Sequence, residues 1–392
     1  MKHAVALLLV ACGSAGPSSP PIDDTPDAAR PVTPSPDAAP VDDVPYPDPD
    51  WPTGTPESQG LASDQLDAAS RAAEADQSYC LLVIRHGVLV SEHYYGGTDA
   101  ATTNKSWSIA KSYTSTTVGI ALGNGDLPSL DLHASDYLTS WQGTPRAGIT
   151  LENLVTMTSG LDWSVFSDYI EMAAFSPDNT AFAEGVSAKD APNTTWVYNN
   201  SAVQVIEPVF RAAAGQSIED YARAHLWTPI GMTGTTWAHD QAGHPTTYAN
   251  VMATCRDHAR LGYLYLHGGR WKHQQVVPAD WVAAALAPSQ PYNQGYGRLF
   301  WLNGHQPTMS SLMKSKDDVL YPYAPADLFA ARGFGGQFID VIPSLDMVVV
   351  RFGADALSSI TDPTQLAAVL AQDELQDTHK QILQPILAAV TN

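Results

Sequence analysis

Apolar and polar positions are spread unevenly along the chain. Over residues 13–50 almost no large apolar side chain occurs; Pro, Asp, Ala and Ser fill the stretch. Such a segment cannot bury enough surface to offset chain entropy, so an extended tether is expected over 13–51. From residue 52 the pattern is that of a folded domain. Ser63–Ala75 has helical spacing, with Ser63 expected as the N-cap. Residues 79–85 and 88–94 are β-rich runs separated by His86 and Gly87, which predicts a hairpin. A helix follows over 106–123. Residues 149–290 read as mainly helical, most clearly at 217–226 and 254–267. Strand patterns return at 296–302, 327–332, 337–342 and 347–352, and a last helix is expected over 378–390, around Pro385. Strands at both ends with helices between them predict an α+β fold. One antiparallel sheet is built from N- and C-terminal segments and flanked by helices, beside a mainly helical lobe. A cleft between two lobes is a natural place for chemistry.

The first residues change the picture of where the chain works. Met1-Lys2-His3 leads into a short apolar run over 4–11 and then Cys12, the pattern of an export signal. Leu9-Val10-Ala11-Cys12 resembles the bacterial lipobox, in which the cysteine is acylated. The expected organisation is therefore a lipoprotein signal over 1–12, the tether over 13–51 and one folded domain over 52–392, with contact to the membrane only through the anchor at Cys12. Gly13 after the cysteine suits sorting to the outer membrane of a Gram-negative host. No apolar run reaches eighteen residues, so no spanning helix is expected. The formal charge of −21 excludes nucleic acid as a partner, since phosphate recognition requires a basic footprint. Cys80 and Cys255 lie far apart in apolar segments and read as buried free thiols, pairing being the alternative in an exported protein.

Candidate chemistry begins at Ser108-Ile109-Ala110-Lys111, an S-x-x-K at the start of an expected helix. Residues three apart share a helix face, within about 5–6 Å at Cβ, so the amine can reach the hydroxyl. A serine hydroxyl is a weak nucleophile until a base takes its proton, and a lysine is a base only when burial keeps it neutral. The helix N-terminus adds N–H groups that favour an oxyanion. Alone, the motif also fits an amphipathic helix with a solvated lysine. Ile109, Tyr113 and Val118 leave no obviously polar face for Lys111, which favours burial. A second element is Tyr198-Asn199-Asn200, a Y-x-N that also fits a capped turn before a helix over 201–213. A third is the glycine-rich stretch around Gly333-Phe334-Gly335-Gly336, which permits close approach to a strand edge but also suits a plain hairpin turn.

In this order and spacing the elements resemble serine β-lactamases and penicillin-binding proteins. The chain is similar to the class C β-lactamase-related hydrolases, and within them to the 6-aminohexanoate-dimer hydrolase type. Leu154 to Trp163 and Ala253 to Asp257 add to the match, which covers about residues 52–353. The resemblance implies a β-lactamase/transpeptidase-like fold. It also implies that Ser108 is acylated, that Lys111 is the general base, and that Tyr198 relays the proton. Asn200 would hold the network around Lys111. The backbone N–H groups of Ser108 and Phe334 would form the oxyanion hole beside Gly333. Tyr169, in a loop, would line the pocket. One departure matters. The Lys or His that opens the family's third motif is Ala331 here, and Arg332 is expected to point to the other face of its strand.

That departure favours an esterase or amidase acting on small ester or amide substrates. The alternatives are a β-lactamase or D,D-peptidase, and an inactive binding lipoprotein on the same fold. Twelve histidines form no zinc-binding pattern, so no metal site is expected. No phosphate-loop or dinucleotide motif occurs, and no cofactor is implied. The residues leave the oligomeric state open.

Overall fold

Val348-Val349-Val350 leaves no polar face, and a strand of that kind has to be covered on both sides. The structure, a computed structural model that describes residues 44–353, 362, 364–365 and 375–391, does this around one six-stranded sheet. Its strands are β1 (Ser78–Arg85), β2 (Val88–Tyr94), β3 (Trp301–Leu302), β4 (Phe329–Gly333), β5 (Gln337–Ile342) and β6 (Met347–Gly353). The order across the sheet is β2-β1-β6-β5-β4-β3, with every neighbouring pair antiparallel. The expected sheet from both ends of the domain is therefore present, with Leu82 of β1 opposite Val350 of β6. Cys12, the expected signal and the expected tether as far as residue 43 lie outside the described residues.

Four helices matter for the site: α1 (Ser63–Ala75), α2 (Ala110–Asn124), α3 (Cys255–Leu266) and α4 (Leu375–Ala388). In α1, Leu66, Ala69 and Ala73 form one apolar stripe, and α1 packs with α4. Helix α3 covers the opposite face. Its Gly262 is required there, because a Cβ would sit 2.8 Å from both Ile339 and Val348. Phe338, Asp340 and Arg351 alternate to the α1–α4 side, where His379 and Asp76 meet them.

Helix α2 is buried along its length, from Ala110 to Ala121. It carries five Ser and Thr residues there, and four of them bond carbonyls: Ser112 to Leu299, Thr114 to Thr247, Thr116 to Ser112 and Thr117 to Tyr113. This satisfies polar groups that burial would otherwise penalise.

Several expectations need correction. Cys80 and Cys255 are joined in a disulfide, not free thiols. The helix α3 lies across the sheet and brings its first residue over β1, which sequence separation could not disclose. The bond closes a loop of 175 residues, worth about 5 kcal/mol in the chain-entropy limit. Packing of the domain begins before residue 52. The ring of Tyr46 meets Tyr263 edge-on at 5.4 Å, Trp51 is buried, and the Tyr263 hydroxyl donates to the Pro45 carbonyl at 2.8 Å. Two aromatic anchors outweigh the Pro- and Asp-rich composition around them. The N-cap of α1 is Ala62, and Ser63 instead bonds Glu57. Of the strand expected at 296–302 only Trp301–Leu302 forms, since Leu299 has a left-handed backbone, φ +62°.

Candidate active site

Ser108 lies in a short 3₁₀ turn, Trp107–Ile109, that leads into α2. The chain before it is pinned. Ser106 N–H donates to the Val251 carbonyl at 3.0 Å, and Ser106 Oγ accepts from Val251 N–H at 2.8 Å. Trp107 takes a left-handed conformation, φ +48°, costly for a bulky side chain. Asn250 N–H holds its carbonyl at 3.1 Å, and its ring packs edge-on against Phe334 at 5.7 Å.

One turn on, Lys111 is 1% exposed. Its Nζ lies 2.9 Å from Ser108 Oγ and 2.9 Å from the Tyr248 carbonyl oxygen. The Tyr198 ring centroid is 4.8 Å away. Burial pushes the amine down to about 7, and the charge of Asp168 works the other way. Tyr198 stacks on Trp301 at 5.6 Å and meets Tyr296 edge-on. Burial raises its phenol far above the usual range; a hydrogen bond with Ser108 and the Arg332 charge offset part of this. Ser108, Lys111 and Tyr198, three residues chosen from sequence, thus meet.

The other expected residues are placed as follows. Asn199, not Asn200, caps the helix that follows, accepting from Ala202 N–H at 2.9 Å. Among the described residues, Asn200 Oδ1 is buried without a hydrogen-bond partner, and the Lys111 amine bonds Ser108 and Tyr248 instead. Tyr169 is not in a loop but in a wide π-helical segment, Phe166–Phe175, and it lines the cleft. Gly333 ends β4 against the turn that carries Ser108: a Cβ there would lie 2.4 Å from the Ser106 carbonyl oxygen. Gly333 and Phe334 both line the cleft with Ser108. Arg332 was expected to face away, and the structure places it in the cleft. The side chain of a residue at 333 would point at the Ser108 turn, so alternation sends 332 to the open side and leaves Ala331 buried.

Two groups escaped the sequence reading. Asp168 is buried and accepts four hydrogen bonds, from the N–H groups of Asn200 and Ser201, Ser201 Oγ and Trp163 Nε1. Burial raises its carboxyl, and those bonds together with Lys111 pull it back. No sequence motif marks it. Tyr248 could have been found, since Tyr248-Ala249-Asn250 repeats the Y-x-N spacing. It supplies Lys111 with a carbonyl, while its hydroxyl bonds Asn179. Among the described residues, Asp178, Asp240 and His244 bring ligand atoms within 4.8 Å of one another. Their carboxylates are engaged with the N–H groups of Ala181, Asn179 and His244, and none of the three lines the Ser108 cleft.

Fold and site together define a hydrolase of the serine β-lactamase and penicillin-binding-protein class. The chain belongs to the Beta-lactamase family, which it matches over residues 64–371. It is similar to the 6-aminohexanoate-dimer hydrolase of Paenarthrobacter ureafaciens, with 22% identity over 311 residues, 72% of each chain. A penicillin-binding protein of Bacillus subtilis (strain 168) is 27% identical over 138 residues, 33% of this chain; the chain spans only 28% of that relative. The solved structure of EstCE1, a hydrolase with promiscuous acyltransferase activity, superposes with a TM-score of 0.63. It covers 86% of this chain and 99% of EstCE1 at 14% identity, a likeness of fold. The α+β fold class and the family expected from the motifs both hold.

Proposed function

We propose that the protein forms an acyl-enzyme at Ser108 and hydrolyses small ester or amide substrates. The observation that carries this reading is the 2.9 Å contact between Ser108 Oγ and a fully buried lysine whose amine is held near neutrality. The neutral Lys111 takes the Ser108 proton as Oγ attacks the carbonyl carbon. The Tyr248 carbonyl accepts one amine hydrogen and so aims the nitrogen lone pair at the serine. The carbonyl oxygen, now negative, is received by the backbone N–H groups of Ser108 and Phe334. Tyr198 passes the proton on to the leaving group and later helps water release the acyl group. A raised phenol suits that relay, since it stays protonated between transfers. The Paenarthrobacter ureafaciens relative, named for the dimer it hydrolyses, lends support to amide cleavage.

A fluorophosphonate probe should label the wild-type protein at Ser108 and leave Ser108→Ala unlabelled. An unlabelled wild type, under conditions that label a control serine hydrolase, would overturn the reading. A second reading gains from the position of Arg332. A cation in the cleft favours β-lactam or cell-wall peptide substrates more than Ala331 alone would. Rapid turnover of nitrocefin would select it.

Export and lipid anchoring through Cys12 form part of the proposal. The Cys80–Cys255 disulfide supports them, because such bonds persist in oxidising compartments. Metabolic labelling with a palmitate analogue should mark the wild type and be lost in Cys12→Ser.

A further inference from the structure

Asn179 is buried at the start of the short helix Asn179–Gly185, and its polar groups reach in three directions. Its backbone N–H donates to Asp240 Oδ2 at 2.8 Å. Its amide oxygen accepts from the Tyr248 hydroxyl at 2.9 Å. Its amide nitrogen donates to the carbonyls of Met172, at 2.8 Å, and Ser176, at 3.3 Å. The Met172 carbonyl also accepts from Ser176 N–H at 3.3 Å, so these two carbonyls close the end of the π-helical segment that holds Asp168 and Tyr169. On the other side, the Tyr248 ring centroid is 5.8 Å from Lys111 Nζ, and the Tyr248 carbonyl takes one hydrogen of that amine at 2.9 Å. The preceding carbonyl, that of Thr247, accepts from Thr114 Oγ1 of α2 at 2.7 Å. The Tyr248 carbonyl is thus set from two ends, by Thr114 at the peptide before it and by Asn179 at the tip of its own side chain. Asn179 does not itself line the Ser108 cleft.

We propose that Asn179 is a positioning residue of the Ser108 reaction: it fixes the Tyr248 carbonyl that aims the Lys111 amine, and it keeps that carbonyl in register with the segment that carries Asp168. The proposal rests on the reading of Ser108 as nucleophile and Lys111 as its base. A base works at hydrogen-bond reach and in the right direction, and the direction of the amine lone pair follows the hydrogen given to Tyr248. An amide can accept from a phenol and give two hydrogens to carbonyls at the same time. An aliphatic side chain at 179 would leave that phenol and those carbonyls without their partner in a buried place. The Asp168 charge opposes the effect of burial on the Lys111 amine, so the spacing of the two segments bears on the base itself.

The test follows the rate at which a fluorophosphonate labels Ser108, per molecule of folded protein. The saturating rate reports attack by the serine, and the concentration at half-saturation reports binding. Tyr248→Phe keeps the ring and the carbonyl and removes the hydroxyl alone. Its saturating rate should fall about fivefold, the scale of one hydrogen bond, with half-saturation unchanged within about twofold. Asn179→Ala should slow labelling about tenfold, as a displaced base does. The double variant should be no slower than Asn179→Ala, because both changes break one chain of contacts, whereas independent sites would multiply to about fiftyfold. Should Asn179→Ala not fold, Asn179→Ser takes its place in the same cycle. A loss in the double variant equal to the product of the single losses overturns the proposal. So does a saturating rate at the wild-type level in both single variants while the melting temperature drops, the signature of support for the fold alone. A labelled wild type with independent losses removes this proposal and leaves the hydrolase reading standing. An unlabelled wild type removes both.

Discussion

The wall that carries Lys111 and the wall that carries Arg332 each hold a cation against aromatic rings, but they treat it differently. Lys111 is buried in the first turn of α2, with two hydrogen bonds and, among the described residues, no carboxylate in salt-bridge contact. Arg332 is half-buried near the end of a strand, over the rings of Trp301 and Tyr321, and lines the cleft. Burial pushes the first amine down to about 7, whereas the second is a guanidinium that lines the open cleft. The same burial that makes a lysine useful as a base would make an arginine useless as a receptor. The contrast separates the two tasks: proton chemistry needs a group whose charge the protein controls, and recognition needs a group whose charge is fixed.

The sharpest way to break this comparison is Lys111→Met. Turnover should drop roughly a thousandfold, the upper range for loss of a general base. The melting temperature should rise at pH 7, because a buried amine is gone. The sign follows from linkage. The folded-state amine titrates near 7, below its unfolded value, so above pH 7 the unfolded chain holds the extra proton. Wild-type stability therefore climbs with pH over that window, and scanning calorimetry at pH 7 and pH 9 should show the gap to Lys111→Met closing. A gap independent of pH would mean that Lys111 is charged.

Gly333→Ala should come next. The added methyl must push the Ser108 turn or β4 aside, and a misplacement of that kind costs about a hundredfold in kcat. Activity close to wild type would place the reacting carbonyl elsewhere. Asp168→Asn should lower plateau activity about tenfold by disturbing its four bonds to Trp163, Asn200 and Ser201, a modest loss for a residue that positions and does not react. Its more telling effect is on pH. Activity requires neutral Lys111 and is lost as pH falls through about 7, and removing the Asp168 charge should move that acid limb to lower pH. A limb that moves upward contradicts the assignment. The smallest effect is expected for Arg332→Met: a several-fold rise in KM for a carboxylated ester, with the acid limb unmoved. A shifted limb would show that the two walls share one titration.

Much of the fold was legible because the signals are local. The apolar runs over 79–94 and 337–353 have one good solution, a sheet covered on both faces. Ser108 and Lys111 needed only the three-residue geometry of a helix start. What stayed hidden depends on distance or direction. Nothing in the spacing of Cys80 and Cys255 says that α3 crosses β1. Strand alternation alone does not say which face of β4 meets the cleft: Ala331 and Gly333 share the side packed on the Ser108 turn, and Arg332 lines the cleft. Asp168 sits in a π-helical turn whose sequence carries no periodicity to mark it. Tyr198 and Tyr248 share one motif, and only packing tells which hydroxyl meets the serine.

The covalent tie between Cys80 and Cys255 divides the reacting groups in an unexpected way. Ser108, Lys111, Asp168, Tyr198 and Tyr248 all fall inside the ring it closes, while Gly333, Arg332 and His379 fall outside. A protease that nicks a surface loop of the helical lobe would leave both fragments attached, and a nonreducing gel would show one band. After such a cut, the ring would keep Ser108 and Lys111 tied to the sheet from which they would otherwise part.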